Sequence, residues 1–257
     1  MSNQPPVPDV ADLAPGSVTL VGGGPGDPGL MTLAGLAALR AAEVVLYDHL
    51  APLELLSQTK PDAELVDVGK LPRGAFTPQQ EINRLLVEYA RAGRKVVRFK
   101  GGDSFVFGRG GEELQACAAA GIPVRVIPGV SSAIAAPELV GIPVTHRGLS
   151  QGFTVVSAHV GPESPESTVN WQALASSGTT LVVLMGVRTL PEVCATLLGH
   201  GLAPTTPAAV IENAGHPDAR LIRSTLADLP GVAAEAAVVS PAVTVIGAVA
   251  GLDLPLG

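Results

Sequence analysis

Residues 95–129 read "KVVRFKGGDSFVFGRGGEELQACAAAGIPVRVIPG", and three local signals follow one another in them. "KVVRFKGGD" is a β-branched run closed by glycines, the pattern of a strand that ends in a turn. "GEELQACAAAG" is a helix pattern with acidic residues suited to its N-terminus and a glycine stop. "IPVRVIPG" is a second strand. The same alternation extends backwards. "SVTLVG", "EVVLYD" and "AELVDVG" read as strands, and "LMTLAGLAALRAA" has helical spacing. "TPQQEINRLLVEYARAG" is the clearest helix: Thr77 can cap it, Pro78 suits its first position, Gln80 completes a capping box and Gly93 stops it. This βαβ rhythm predicts a mostly parallel sheet covered on both faces.

After "GIPVTHRGLSQG" the rhythm changes. "FTVVSAH", "TTLVVLMG", "PAAVIENAG", "ARLIRSTLADL" and "PAVTVIGAVAG" are strand patterns separated by fewer helices, some at hairpin spacing. The division expected is a tail over 1–16, an N-terminal α/β domain with a parallel sheet over 17–146, and a mixed α/β domain over 150–253. The tail, "MSNQPPVPDVADLAPG", lacks the basic and apolar regions of a secretory signal and reads as mobile.

Composition bounds the function. The chain of 257 residues is 47% hydrophobic and 3% aromatic, so its cores must be aliphatic. A formal net charge of −7 provides no broad basic field and argues against a nucleic-acid partner. No apolar run approaches the roughly 18 residues of a membrane span. Cys117 and Cys194 are the only cysteines, without metal-ligand spacing, and read as buried thiols in a reducing cytoplasm. No metal is expected.

Two glycine-rich turns carry the functional question. "VGGGPGDPG", residues 21–29, sits between strand and helix, where a dinucleotide fingerprint would lie. Gly22-x-Gly24 then requires glycine at position 27, which is Asp27. A carboxylate there repels a pyrophosphate, and Pro25 removes a backbone donor. A tight turn with Asp27 as a cap explains the segment equally well, and a ligand without phosphates fits better than NAD. At the second turn, Gly101 and Gly102 let a ligand or a neighbouring segment approach a strand's carboxyl end, where parallel α/β sheets bind ligands. Asp103 could accept hydrogen bonds from that ligand. Gly-Gly-Asp as a plain turn, with Phe105 and Phe107 as core, is the alternative.

Together, "VTLVGGGPGDPGLMTLAGLAALRAAEVVLYDHL", "VGK", "VVRFKGGDSFVFGRGGEE", "VIPGVSSAIAAPELVGIPVTHRG" and "TLVVLMG" resemble the uroporphyrinogen-III C-methyltransferases, a family of S-adenosylmethionine-dependent tetrapyrrole methylases. The likeness runs in order from Ser17 to Leu252. The chain departs mildly at Ser104, Leu184 and Phe99, where the family usually carries Pro, Tyr and Leu. No flanking segment resembles the dehydrogenase/ferrochelatase or synthase domains fused to some relatives, so a stand-alone enzyme is expected. The resemblance implies two α/β domains with the cofactor in the cleft between them, in a homodimer. It implies that Pro25, Gly101, Gly102, Asp103, Val106, Ser131, Ser132, Met185 and Ala214 line the cofactor site, with S-adenosylhomocysteine as a product. Ala214 stands where relatives often carry glycine.

The implied reaction is methylation of uroporphyrinogen III at C2 and C7 to precorrin-2. Attack by a pyrrole carbon on a sulfonium methyl leaves a cationic ring that must lose a proton, and a carboxylate can collect it. The resemblance makes Asp48, at the end of "EVVLYD", the proton acceptor and Lys70 in "VGK" the donor. On residues alone, Asp48 could instead bind a ribose and Lys70 could be a surface lysine. The substrate's carboxylates need cations; Arg73, Lys100, Arg109, His146 and Arg147 are the candidates. A methylase of a later corrin precursor is the nearest alternative. A nicotinamide oxidoreductase and a non-catalytic binding protein are more distant ones.

Overall fold

The computed structural model describes residues 13–254 except 70–76. The chain divides into two compact units, Met1–Ser131 and Ser132–Gly257.

The first unit is a five-stranded sheet. Its strands are β1 (Ser17–Gly22), β2 (Val44–Tyr47), β3 (Glu64–Asp67), β4 (Lys95–Lys100) and β5 (Val124–Ile127), in the order β3-β2-β4-β1-β5. Every pairing is parallel, as the βαβ rhythm predicts. The interior strand β1 is buried throughout, which accounts for its largely apolar run. Helices α1 (Leu33–Ala41), α2 (Gln79–Arg91) and α3 (Gly110–Ala119) supply three of the four crossovers, and a 3-10 helix, Leu53–Gln58, lies in the β2–β3 one.

Strand alternation sends β4 side chains to opposite faces. Val96 packs with Leu86 of α2 and Cys117 of α3, whereas Val97 and Phe99 pack with Ala38 and Leu39 of α1. Helix α2 buries Ile82, Leu86 and Ala90 at a spacing of four. Its N-cap is Pro78 without a side-chain hydrogen bond, so Thr77 does not cap it. Gly93 stops it in the left-handed region at φ +79°.

The expected tail is also shorter than read. Leu13 is buried in the α1-side core, Ser17 Oγ donates to Ala14 O at 2.6 Å, and Gly16 N donates to Arg94 O at 3.1 Å. An apolar side chain four residues before β1 is enough to dock that stretch.

The second unit holds α4 (Ser132–Glu138), β6 (Phe153–Ser157), α5 (Trp171–Ala175), β7 (Thr180–Leu184) and α6 (Leu190–Gly199). They are followed by β8 (Pro207–Glu212), β9 (Arg220–Thr225), α7 (Leu229–Glu235) and β10 (Ala242–Ile246). Its sheet is mixed, in the order β6-β7-β10-β8-β9, with only β6 and β7 parallel. One core lies on the α5–α6–α7 side; another joins Ala133, Ala136 and Ile142 to Val182, Ile211 and Val245. That second core moves the division to Ser131/Ser132, ahead of the boundary expected between 146 and 150. The alanine face of α4 has its apolar partners on β7 and β10, so this helix belongs with the sheet that follows it.

Candidate active site

In the first unit the carboxyl ends of β1, β4 and β5 close on one another through backbone. Gly24 and Gly102 form a short antiparallel bridge, with Gly102 N donating to Gly24 O at 2.6 Å and Gly24 N to Gly102 O at 3.2 Å. A Cβ on Gly129 would stand 2.3 Å from Gly102 O, and one on Gly22 would stand 2.5 Å from Gly129 N. Gly102 itself has φ +61°, a conformation that favours glycine. The first demand on these glycines is therefore the close approach of neighbouring chain. Asp27 caps a short 3-10 turn, accepting from Gly29 N at 2.7 Å, and Pro25 beside it is half-buried.

Asp103 knits two loops together. Its Oδ1 accepts from Phe105 N at 2.8 Å and its Oδ2 from Gly129 N at 3.0 Å. Phe107 and Arg109 take positive φ values of 54° and 59°, which turns the segment so that Phe105, Val106 and Phe107 are all exposed, Phe105 at 54%. The placement of both phenylalanines in the core, which went with the plain-turn alternative, does not hold. Three apolar side chains in water beside parallel strand ends are what an apolar ligand surface requires.

Pairing of β2 with β4 sets Tyr47 opposite Phe99 and carries Asp48 alongside the end of β4. Asp48 N donates to Phe99 O at 3.3 Å. The Asp48 carboxylate is held at both oxygens: Oδ1 accepts from Leu50 N at 3.2 Å and Gly101 N at 3.3 Å, and Oδ2 from Arg98 Nη2 at 3.2 Å. His49 beside it turns to the end of β3, with Nε2 and Asp67 Oδ2 2.7 Å apart.

Lys100 is a candidate that sequence reasoning misjudged, and Arg98 is a residue that it missed. Both project from the α2/α3 face of a central strand, and both are buried, at 3% and 4% exposure. Their counter-ion is Glu113, fully buried on the inner side of α3. Its Oε1 accepts from Arg98 Nε at 2.9 Å and Lys100 Nζ at 3.2 Å. Burial pushes the Lys100 amine below the ordinary lysine range; the like charge of Arg98 adds to this, and Glu113 and Asp48 oppose it. Lys100 is thus an interior ion-pair partner, and its candidacy for a substrate carboxylate is withdrawn. The signal available was positional: positions 96, 98 and 100 share a face whose first member is apolar core.

Arg109 is exposed and engages Glu112 through two bonds of 2.8 and 2.7 Å. His146 and Arg147, in the second unit, are exposed, with His146 Nδ1 2.9 Å from Arg147 O. Lys70 and Arg73 lie outside the described residues. Ser131 and Ser132, the residues on either side of the division of the chain, are half-buried. Met185, at the end of β7, is exposed with φ +58°, and Ala214 follows the left-handed Asn213 after β8. Each strand is thus followed by a left-handed residue at, or next to, an expected ligand residue. Among the described residues, no group of three or more His, Cys, Asp or Glu could hold a metal ion. No helix of those residues is long and apolar enough to cross a membrane.

Against known proteins, residues 17–230 match the family described as Tetrapyrrole (Corrin/Porphyrin) Methylases. A siroheme synthase of Tolumonas auensis is 47% identical over 241 residues, 94% of this chain and 51% of that protein. The chain thus spans about half the length of such siroheme synthases. An S-adenosyl-L-methionine-dependent uroporphyrinogen III methyltransferase of Methanosarcina barkeri is 45% identical over 94% of this chain and 95% of its own length. The crystal structure of a Thermus thermophilus uroporphyrin-III C-methyltransferase complexed with S-adenosyl homocysteine is 40% identical, with a TM-score of 0.77, and covers 91% of this chain and 93% of its own.

Proposed function

The chain belongs to the tetrapyrrole methylase family, and from that premise we propose that it is an S-adenosylmethionine-dependent uroporphyrinogen III C-methyltransferase that forms precorrin-2. The observation that carries the reading is the carboxylate of Asp48. It is fixed at both oxygens at the carboxyl end of a parallel sheet, beside an exposed apolar turn. A dinucleotide loop is disfavoured by Asp27, whose carboxylate occupies the turn as a cap.

The residues fit S-adenosylmethionine in kind. The exposed Val106 and Met185 offer apolar and thioether surface for an adenosine, and the strand-end backbone at Gly101–Asp103 offers polar groups. We assign the cofactor to these residues with Pro25, Ser131, Ser132 and Ala214. When bound, the cofactor supplies an electrophilic sulfonium methyl. The chain's own task is then alignment and proton removal. Asp48 accepts the proton that a methylated pyrrole must lose, and Lys70 is the proton donor. Arg109, His146 and Arg147, with Arg73, are the candidate partners for substrate carboxylates; Arg109 would exchange its exposed pairing with Glu112 for one with substrate.

The protein is further read as a cytoplasmic homodimer. Cys117 and Cys194 are free and buried, in keeping with a reducing compartment, and the dimer follows the family.

Anaerobic incubation with S-adenosylmethionine and enzymatically made uroporphyrinogen III tests the function. Mass spectrometry should show a monomethylated macrocycle early and a dimethylated one at completion. Product that stops at one methyl with cofactor in excess, or transfer only to a later corrin precursor, overturns it.

A further inference from the structure

Arg98 is a charged residue inside a central strand, and its guanidinium is committed in several directions at once. Nη2 donates to Asp48 Oδ2 at 3.2 Å, Nε to Glu113 Oε1 at 2.9 Å, and Nη1 to Phe99 O at 3.1 Å and Leu46 O at 3.4 Å. A planar fork with three engaged nitrogens cannot turn without breaking several bonds together. Glu113 is aimed in its turn by Lys100 Nζ at 3.2 Å and Gln79 Nε2 at 3.3 Å. Its second oxygen, Oε2, is buried without a hydrogen-bond partner among the described residues.

Buried ion sets are poor sources of stability compared with apolar packing of the same volume. This one places two cations on a strand face whose neighbour, Val96, is ordinary core, with their anion on the helix packed against it. Among the described residues, only one of its hydrogen bonds leads to a carboxylate that is not itself fully buried, and that is Asp48. We infer that Arg98 is a positioning residue: oriented by Glu113, it fixes the Asp48 carboxylate in the attitude from which it accepts the proton. The inference rests on the reading of Asp48 as proton acceptor. It accounts for a costly internal charge set that the cofactor and substrate assignments leave without a role.

A double-mutant cycle tests it, using Arg98→Met, Arg98→Lys, Asp48→Asn and the Asp48→Asn/Arg98→Met pair. Turnover, KM for uroporphyrinogen III, thermal midpoint and calorimetric S-adenosylhomocysteine affinity are measured for each. Arg98→Met should lower kcat by roughly 10- to 100-fold, the usual effect of losing an orienting partner, with KM and cofactor affinity near those of the unaltered protein. In the Asp48→Asn background the same change should cost no further turnover, because its target is gone. A full, additive loss in that background overturns the inference, as does unchanged kcat in Arg98→Met. Should the methionine variant fail to fold, Arg98→Lys decides. Its single ammonium cannot reproduce the fork, so kcat should fall while cofactor affinity holds, and unchanged kcat overturns the role. Asp48→Asn with normal turnover is a different failure: it overturns the proton-acceptor reading itself and the positioning role with it.

Discussion

Asp48→Asn keeps the shape of the side chain and removes its basicity. Loss of a general base lowers turnover by roughly two to four orders of magnitude. The expectation for this variant is a loss of that size with S-adenosylhomocysteine affinity nearly unchanged. If Asp48 instead binds ribose, calorimetry will show weakened affinity and turnover at saturating cofactor will survive. Asp48 was singled out in the sequence by the family resemblance, and on residues alone a carboxylate after a strand pattern could as well bind a ribose. Its supporting residues were not legible there. A lysine or arginine in a strand pattern reads as an outward-facing position, and only the fold shows Arg98 and Lys100 meeting Glu113 in the interior. Glu112 and Glu113 look equivalent as letters. The helical turn sends one to Arg109 at the surface and the other under the sheet.

The β4–α3 crossover and the strand ends beside it support two further expectations. Every strand of the first sheet was recognisable, since each is a short apolar run bounded by turn residues. The approach of the β1, β4 and β5 ends was not, because glycine announces freedom without saying what comes close. Gly129→Ala places a methyl 2.3 Å from Gly102 O, and backbone on both sides cannot swing away as a flexible side chain would. Overpacking of this kind costs about 1–3 kcal/mol, which calorimetry should read as a lowered melting temperature; an unchanged midpoint would mean the strand ends separate easily. The second expectation concerns Lys100. Its folded value is depressed, so between that value and the ordinary 10.5 the unfolded chain binds more protons than the folded one. Stability contributed at this site therefore rises with pH across that window and is flat below it. Urea titrations at stepped pH should show the unaltered protein gaining on Lys100→Met as pH climbs towards 10.5. A constant difference between the two would remove the case for a strained interior ammonium.

Each unit carries a single cysteine in its own core, Cys117 of α3 and Cys194 of α6. Burial pushes both thiols up to about 11, with Glu113 adding to the effect at Cys117. Neither should react with iodoacetamide in native buffer near neutral pH, since only the thiolate attacks and neither is exposed. Denaturant should then open each site as its core unfolds, and peptide mass spectrometry separates the two labels. The change of rhythm in the sequence foretold two units but set their division too late, because the alanine face of α4 does not say which sheet it will cover. The two free cysteines, one in each core, make each unit a reporter of cofactor binding. A ligand at 100 times its Kd stabilises whatever it binds by about 2.7 kcal/mol. If the cofactor is held by Val106 and Gly101–Asp103 of the first unit and by Met185 and Ala214 of the second, S-adenosylhomocysteine should move both labelling midpoints to higher urea. A shift confined to Cys117 would strike Met185 and Ala214 from the cofactor residues and leave the first unit's assignment standing. A shift at neither, with binding established by calorimetry, would mean that the ligand is held by segments that unfold without either core.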